Sequence, residues 1–316
     1  AQGASERTKA LDGYRIIRQD YESLTISVRG FDDPHEVEWI TSTPSRPITL
    51  FGSSDASFLP LTSPKSTQLL DAATGSVLQL DSSAHFDSVA VTEDGSMALL
   101  LDFPPDEFWV VTDWTTNPSP LLNLRYAIDQ HEAAYVFNRP GLATLGANGI
   151  IYYVGEIYPS ERGRTYDRIL WAFDPIADQL IGRFHPSWHA SGTRYLDYLE
   201  HRHELIAITS DQVFRIDPDS GEEIGSYPRP APDAGVRLVG NRLVTFRDRW
   251  LGVHDPGTGV LVDETAIEDP MDSLYSLNGS AIVFALSDVA PGETIVTPID
   301  LESVVQLGRY SVYGHS

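Results

Sequence analysis

Side chains that could bind a ligand or transfer protons are concentrated in three segments, 125–141, 156–167 and 185–194. Histidine titrates near neutral pH, arginine binds carboxylates through paired hydrogen bonds, and flat aromatic rings stack on sugars and peptide side chains. The candidates for ligand or partner binding are three histidines, an arginine pair and three aromatic residues: His131, Tyr158, Arg162, Arg164, Tyr166, His185, Trp188 and His189. The alternative is that aromatic and histidine side chains here pack the segments against one another.

A second histidine cluster, His201-Arg202-His203, resembles a metal-ligand pair. It lies between two apolar runs, 195–199 and 205–209, where a tight turn is expected. Alternate side chains on a tight turn need not converge, so we expect a solvated turn. No other histidine pair has strand or helical spacing with a third ligand nearby, so we expect no metal site and no cofactor.

Three common catalytic motifs are missing from the sequence. It contains no GxSxG elbow, no glycine-rich phosphate loop and no HExxH pair. Aspartate and glutamate are plentiful, so a glycosidase that uses two carboxylates stays open. No spacing identifies such a pair.

The strands and turns around these segments are predicted to form a repeat. Two alternating apolar runs, joined by a turn that begins with or near an aspartate, recur at Asp32, Asp71, Asp113, Asp174, Asp217, Asp255 and Asp300. The successive spacings are 39, 42, 61, 43, 38 and 45 residues. A period of about 45 residues with four short strands is typical of propeller blades. An aspartate at a turn bonds the backbone two residues on, so these carboxylates are expected to be structural.

The pattern predicts an all-β fold: a seven-bladed β-propeller of four-stranded blades, with almost no helix. Residues 1–13 are a polar N-terminal segment and residues 14–316 one propeller domain. The first repeat lacks an inner strand, whereas a surplus apolar run follows the last one. We therefore expect segment 309–313 to pair with 14–18, so that N- and C-terminal strands share one blade and close the ring.

The lengths of the repeats indicate which loops bind a ligand or partner. The 61-residue interval is the longest, and its excess falls in segments 125–141 and 156–167. Both are loops at the same end of the blades, the loop face, and 185–194 adjoins them. Long loops on a repeat architecture usually carry function.

Several hairpins resemble a known group of propellers. DAATGSVLQL, DPDSGEEIGSY and DPGTGVLVDE, with VTEDGSMALLL, resemble hairpins of quinoprotein-like and YVTN-type propellers. The regular tryptophan of pyrroloquinoline-quinone enzymes, the WD40 signatures and the kelch double glycines are absent. The resemblance therefore implies an architecture and assigns no residue a role.

Composition restricts the partners and the compartment. The net charge of −23 disfavours nucleic acid, whose binding requires neutralised phosphates. No apolar run is long enough for a membrane span, and there is no cysteine. Arginine greatly outnumbers lysine and the sequence starts at Ala1, so we expect an exported bacterial protein, periplasmic, cell-surface or secreted.

The sequence therefore predicts a binding or scaffold module for a protein or an acidic polysaccharide. The alternative is a polysaccharide lyase or glycoside hydrolase at the channel mouth, suggested by the histidines, arginines and tyrosines of the three segments. A lyase would need a base and charge neutralisation next to a carboxylate.

Overall fold

A computed structural model describes much of the chain. The described residues are 15–20, 25–30, 39–42, 58–63, 66–71, 77–79, 86–91, 98–102, 108–111, 135–137, 143–146, 149–158, 167–174, 177, 179–185, 193, 195–276, 281–290 and 293–313.

The described strands form seven antiparallel sheets that follow one another along the chain. Sheet 1 contains β1 (Arg15–Asp20), β2 (Thr25–Gly30) and β3 (Trp39–Ser42). Sheet 2 contains β4 (Phe58–Ser63), β5 (Ser66–Asp71) and β6 (Val77–Gln79). Sheet 3 contains β7 (Phe86–Val91), β8 (Ala98–Asp102) and β9 (Phe108–Val111).

The next four sheets have four or five strands. Sheet 4 contains β10 (Tyr135–Phe137), β11 (Ala143–Leu145), β12 (Ile151–Tyr158), β13 (Asp167–Asp174) and β14 (Gln179–Phe184). Sheet 5 contains β15 (Tyr195–Leu199), β16 (Glu204–Ile208), β17 (Gln212–Ile216) and β18 (Glu223–Pro228). Sheet 6 contains β19 (Gly235–Val239), β20 (Arg242–Arg247), β21 (Trp250–His254) and β22 (Leu261–Ala266). Sheet 7 contains β23 (Ser273–Ser276), β24 (Ile282–Ala290), β25 (Glu293–Asp300), β26 (Val305–Gln306) and β27 (Tyr310–Tyr313).

The all-β prediction is confirmed in the part of the chain that the structure describes. Its only helical turn is a short 3-10 turn, Glu200–Arg202, between β15 and β16. No helix among those residues is long and apolar enough to cross a membrane.

The hydrophobic core lies between consecutive sheets. Apolar side chains of sheets 4 and 5 form one cluster, among them Leu170 and Leu205. Sheets 5 and 6 share a second cluster, and sheets 6 and 7 a third. A sheet is buried on both faces only when another sheet covers each face, so sheets 5 and 6 are packed as inner members of a stack.

The predicted closure of the ring is not confirmed in the described strands. Residues 310–313 form β27, which pairs with residues 293–296 of β25, whereas β1 pairs with β2. The reason is local. β26 pairs only with Ile299 and Asp300, so β25 keeps a free outer edge a few residues from β27. Joining near neighbours costs less loop-closure entropy than joining the two chain ends.

The turn aspartates behave as predicted where they are described. Each carboxylate accepts a backbone N–H two or three residues later, at 2.8 to 3.0 Å, in Asp174, Asp217, Asp255 and Asp300. These bonds fix the hairpins that join the two outer strands of sheets 4 to 7.

The same turns contact the preceding sheet through an aromatic ring and a glycine. A Cβ on Gly221 would lie 2.2 Å from the Cβ and Cγ of Phe184, on β14. A Cβ on Gly259 would lie 2.4 Å from the ring of Tyr227, on β18. Both glycines have positive φ, +70° and +72°, so glycine fits the backbone and leaves room for the ring.

At the corresponding positions of sheets 6 and 7 the sizes are reversed. By register, Thr265 of β22 takes the place of the aromatic ring. Val304, with φ of 51°, takes the place of the glycine. Val304 is buried in the core between these two sheets. A larger turn residue therefore accompanies a smaller strand residue.

Candidate functional site

The predicted binding residues lie only partly within the described chain. Tyr158 is the last residue of β12, and its backbone pairs with Tyr135 of β10. His185 directly follows β14 and is exposed. The other six fall outside the described residues: His131, Arg162, Arg164, Tyr166, Trp188 and His189.

The structure brings two of the three predicted segments together. Segment 125–141 contains a strand, β10, which pairs with residues 156–158 at the start of segment 156–167. β11 pairs with the other end of β12, at residues 151–153. The repeat pattern predicted a loop over the whole of 125–141. The strand was missed because Tyr135–Phe137 is too short to show an alternating pattern.

The β12–β13 hairpin projects beyond its counterpart in sheet 5. The pair Val154–Leu170 corresponds to Ile208–Val213, where the pairing of β16 with β17 ends. β12 and β13 continue for three more pairs, from Gly155–Ile169 to Ile157–Asp167. At about 3.3 Å per residue, the extension is roughly 10 Å. β10 lies along this projecting part.

A polar cluster that the sequence analysis missed joins the innermost strands. On β15, Asp197 accepts hydrogen bonds from the Thr144 hydroxyl of β11 at 3.1 Å and from the Tyr195 hydroxyl at 3.0 Å. It also accepts the backbone N–H of Tyr198 at 2.8 Å. The bond to Thr144 links sheet 4 to sheet 5. The only signal in the sequence is an aspartate inside the apolar run YLDYL.

Burial dominates the ionisation of this cluster. It raises the pKa of Asp197, and the three donors oppose that shift. Burial, followed by the nearby Asp197 charge, raises the pKa of Tyr195 well above its ordinary value, while Arg237 of β19 lowers it. Sheets 4, 5 and 6 thus each contribute a polar residue to one place. Asp197 accepts hydrogen bonds from both sheet 4 and sheet 5, so the arrangement holds the innermost strands of the two sheets together.

The histidine cluster directly follows the C-terminal end of β15, in the predicted turn. Its side chains are exposed but partnered. The Arg202 guanidinium contacts the Asp255 carboxylate at 3.0 Å. The His203 ring lies 3.1 Å from the Asp219 carboxylate and 2.5 Å from the Tyr198 hydroxyl. Among the residues that the structure describes, no three metal-ligating side chains come together.

Contacts from sheet 5 fix the hairpin turn of sheet 6. The Tyr227 hydroxyl donates to the Pro256 carbonyl at 2.7 Å. Arg215 forms an ion pair with the buried Glu204 and also contacts the Gly257 carbonyl. The Arg202–Asp255 ion pair adds a third contact to the same hairpin turn. Through Arg202, the histidine-containing turn therefore helps to hold sheets 5 and 6 together.

No protein-family model matches the sequence. No curated protein matches it either.

Solved structures with a similar fold are propellers. The dihydro-heme d1 dehydrogenase NirN, solved in complex with DHE, is 13% identical with a TM-score of 0.55, over 97% of this chain and 74% of that chain. A chain of the mitotic checkpoint complex is 14% identical with a TM-score of 0.53, over 81% and 77%. The propeller domain of Myceliophteria thermophila Cps50 (Swd1) is 14% identical with a TM-score of 0.53, over 86% and 92%.

Identities this low carry the fold and no activity. The antiparallel sheets, the cores between them and the structural neighbours together show that the chain is a β-propeller repeat protein.

Proposed function

We propose that this protein is a binding module of seven blades, whose partner contacts the loop face at segments 125–141, 156–167 and 185–194. The observation that carries the proposal is the pairing of β10 with the projecting end of β12. Residues 135–137 and 156–158, from two of the three segments, thereby form one projecting surface on sheet 4. Insertions on the binding face are usual in repeat proteins.

The partner is a protein or an acidic polysaccharide. In the sequence, Arg162 and Arg164 fall in the segment that joins β12 to β13. An arginine pair in a protein of net charge −23 favours an anionic ligand, since carboxylates are bound through two donors at once. The same charge opposes nucleic acid. We place the protein outside the cytoplasm, in a bacterium.

Asp197, the buried carboxylate of β15, gives no support to the alternative of a lyase or glycoside hydrolase. A catalytic carboxylate must reach the proton that it transfers. Asp197 instead accepts three hydrogen bonds from the protein itself.

The test is a triple variant, Arg162→Ala, Arg164→Ala and Trp188→Ala. Binding of polygalacturonate, or of envelope proteins captured on the immobilised protein, should weaken at least tenfold, equivalent to about 1.4 kcal/mol. If the three residues bind the partner and do not pack the segments against one another, thermal stability should change little, because surface substitutions usually cost within about 0.5 kcal/mol.

A matched control removes two other arginines. Arg247 and Arg249 are exposed and lie beside the turn between β20 and β21, at the same end of the blades. Arg247→Ala with Arg249→Ala should leave binding unchanged. Equal loss in both variants would show a general charge effect. Unchanged binding in the triple variant would place the site elsewhere.

A further inference from the structure

The outer edges of three consecutive sheets carry an exposed apolar residue at the same position. In sheets 4, 5 and 6 the register of the outermost strand pair shifts by one residue, which marks a β-bulge. The extra residues are Ile181, Ile224 and Val262, with 55%, 47% and 55% of their surface exposed. A bulge turns its residue away from the ladder, which explains why these side chains stay outside the cores.

Sheet 6 extends this spot into a patch. Val260 and Leu261 precede the bulge residue and are 63% and 44% exposed. Leu261 is the first residue of β22, the outermost strand of the sheet, and Val260 directly precedes it. Three consecutive exposed large apolar residues are unusual on a solvent-facing strand, since single ones are ordinary and clusters mark contact surfaces.

The acidic residues beside the patch favour a basic binding partner over a second copy of this chain. Asp263 and Glu264 follow Val262 directly and are exposed. Edge-to-edge pairing with a second copy would bring like charges together, and the net charge of −23 adds further repulsion. A strand with basic side chains would meet attraction instead, and its apolar side chains could cover the valines.

We propose that β22 is a docking edge for an extended, basic peptide segment of a partner protein in which apolar and Lys or Arg residues alternate. The segment would add a strand to sheet 6, so that main-chain bonds supply affinity and alternate side chains supply specificity. The edge is separate from the loop face, and this proposal holds whether or not the loop face binds a partner.

The experiment uses the full chain and a labelled short peptide in which Lys and Val alternate. Fluorescence anisotropy should show saturable binding that weakens with salt. Amide hydrogen exchange should slow in residues 261–266 when the peptide is bound. A peptide of the same sequence with N-methylated backbone amides should bind at least tenfold more weakly. Equal binding of the methylated peptide, or no binding of the Lys peptide, would overturn the proposal.

Charge reversal gives a result that misfolding cannot mimic. Asp263→Lys with Glu264→Lys should lose the Lys peptide at least tenfold and gain binding of the matching Glu–Val peptide. The control, Glu222→Lys with Glu223→Lys in sheet 5, changes the net charge by the same amount and should keep the original preference. An equal loss in the control would assign binding to overall charge. Self-association of the wild-type protein through residues 260–264 would show that the occupant is a second copy, against the proposal.

Discussion

Gly221→Ala tests whether the contact between sheets 4 and 5 depends on the space left by glycine. Gly221 has φ of +70°, and an added Cβ would lie 2.2 Å from the Cβ and Cγ of Phe184. A non-glycine residue in the left-handed region costs roughly 1–2 kcal/mol. Overfilling a packed site costs about 1–3 kcal/mol more. We therefore expect the free energy of unfolding to fall by about 2–5 kcal/mol.

The assay is urea denaturation followed by circular dichroism, with two companion variants. Gly225→Ala is the control, because its Cβ would meet only the Arg215 guanidinium at an ordinary 3.5 Å. It should change stability by no more than about 0.5 kcal/mol. Gly221→Asn separates the two causes, since Asn tolerates the left-handed region but still carries a Cβ.

The stability of Gly221→Asn decides whether the overlap with Phe184 matters. If Gly221→Asn is as stable as the wild type, the overlap with Phe184 costs nothing and the argument is refuted. If Gly221→Ala falls by less than about 1 kcal/mol, both the backbone and the packing reasoning fail. A loss in Ala that Asn only partly recovers is the expected pattern.

Three further outcomes are expected. The His254 ring forms a hydrogen bond with the Thr245 hydroxyl at 2.8 Å, and burial lowers the pKa of His254. As pH falls, the unfolded chain therefore binds the His254 proton before the folded protein does. The stability that neutral His254 contributes is full above about pH 6.5 and is lost as pH falls through the lower folded pKa. Denaturation at neutral and acidic pH should therefore show a flatter pH dependence for His254→Gln, and an unchanged slope would refute this cause. Asp197→Asn should keep stability within about 1 kcal/mol at neutral pH, whereas Asp197→Leu strands its donors and should cost about 1–3 kcal/mol in the same assay; equal effects would contradict the hydrogen-bond account. Arg202→Ala removes the partly exposed ion pair with Asp255 and should cost no more than about 1 kcal/mol, less in high salt, with a larger and salt-independent loss counting against it.

Local patterns in the sequence predicted local structure well. The aspartate at the start of each described outer hairpin forms the expected turn bond, as in Asp217 and Asp300. The reason is that an aspartate turn depends on residues two or three positions away, which the sequence displays directly. The turn at 201–203 was predicted on the same basis.

Contacts between sheets could not be predicted in this way. Asp197 is held by Thr144, 53 residues earlier, and Arg202 by Asp255, 53 residues later. Nothing in a single sequence pairs such positions. The partner of β27 could not be predicted for a related reason: the apolar run at 310–313 was predicted correctly as a strand, but it pairs with the outer edge of β25.

The reversal of sizes between the blade contacts has a consequence for assembly. Sheets of similar outline could in principle stack in a wrong order, or be exchanged between two molecules during folding. The ring of Tyr227 fits against Gly259, but it would collide with a β-branched side chain such as Val304 if sheet 5 met sheet 7. A glycine turn opposite Thr265 would leave a gap instead. The volumes of the turn residues and of the strand residues that they face are therefore complementary only between the correct neighbours. This complementarity favours the native order of the blades, in addition to the order that chain connectivity imposes.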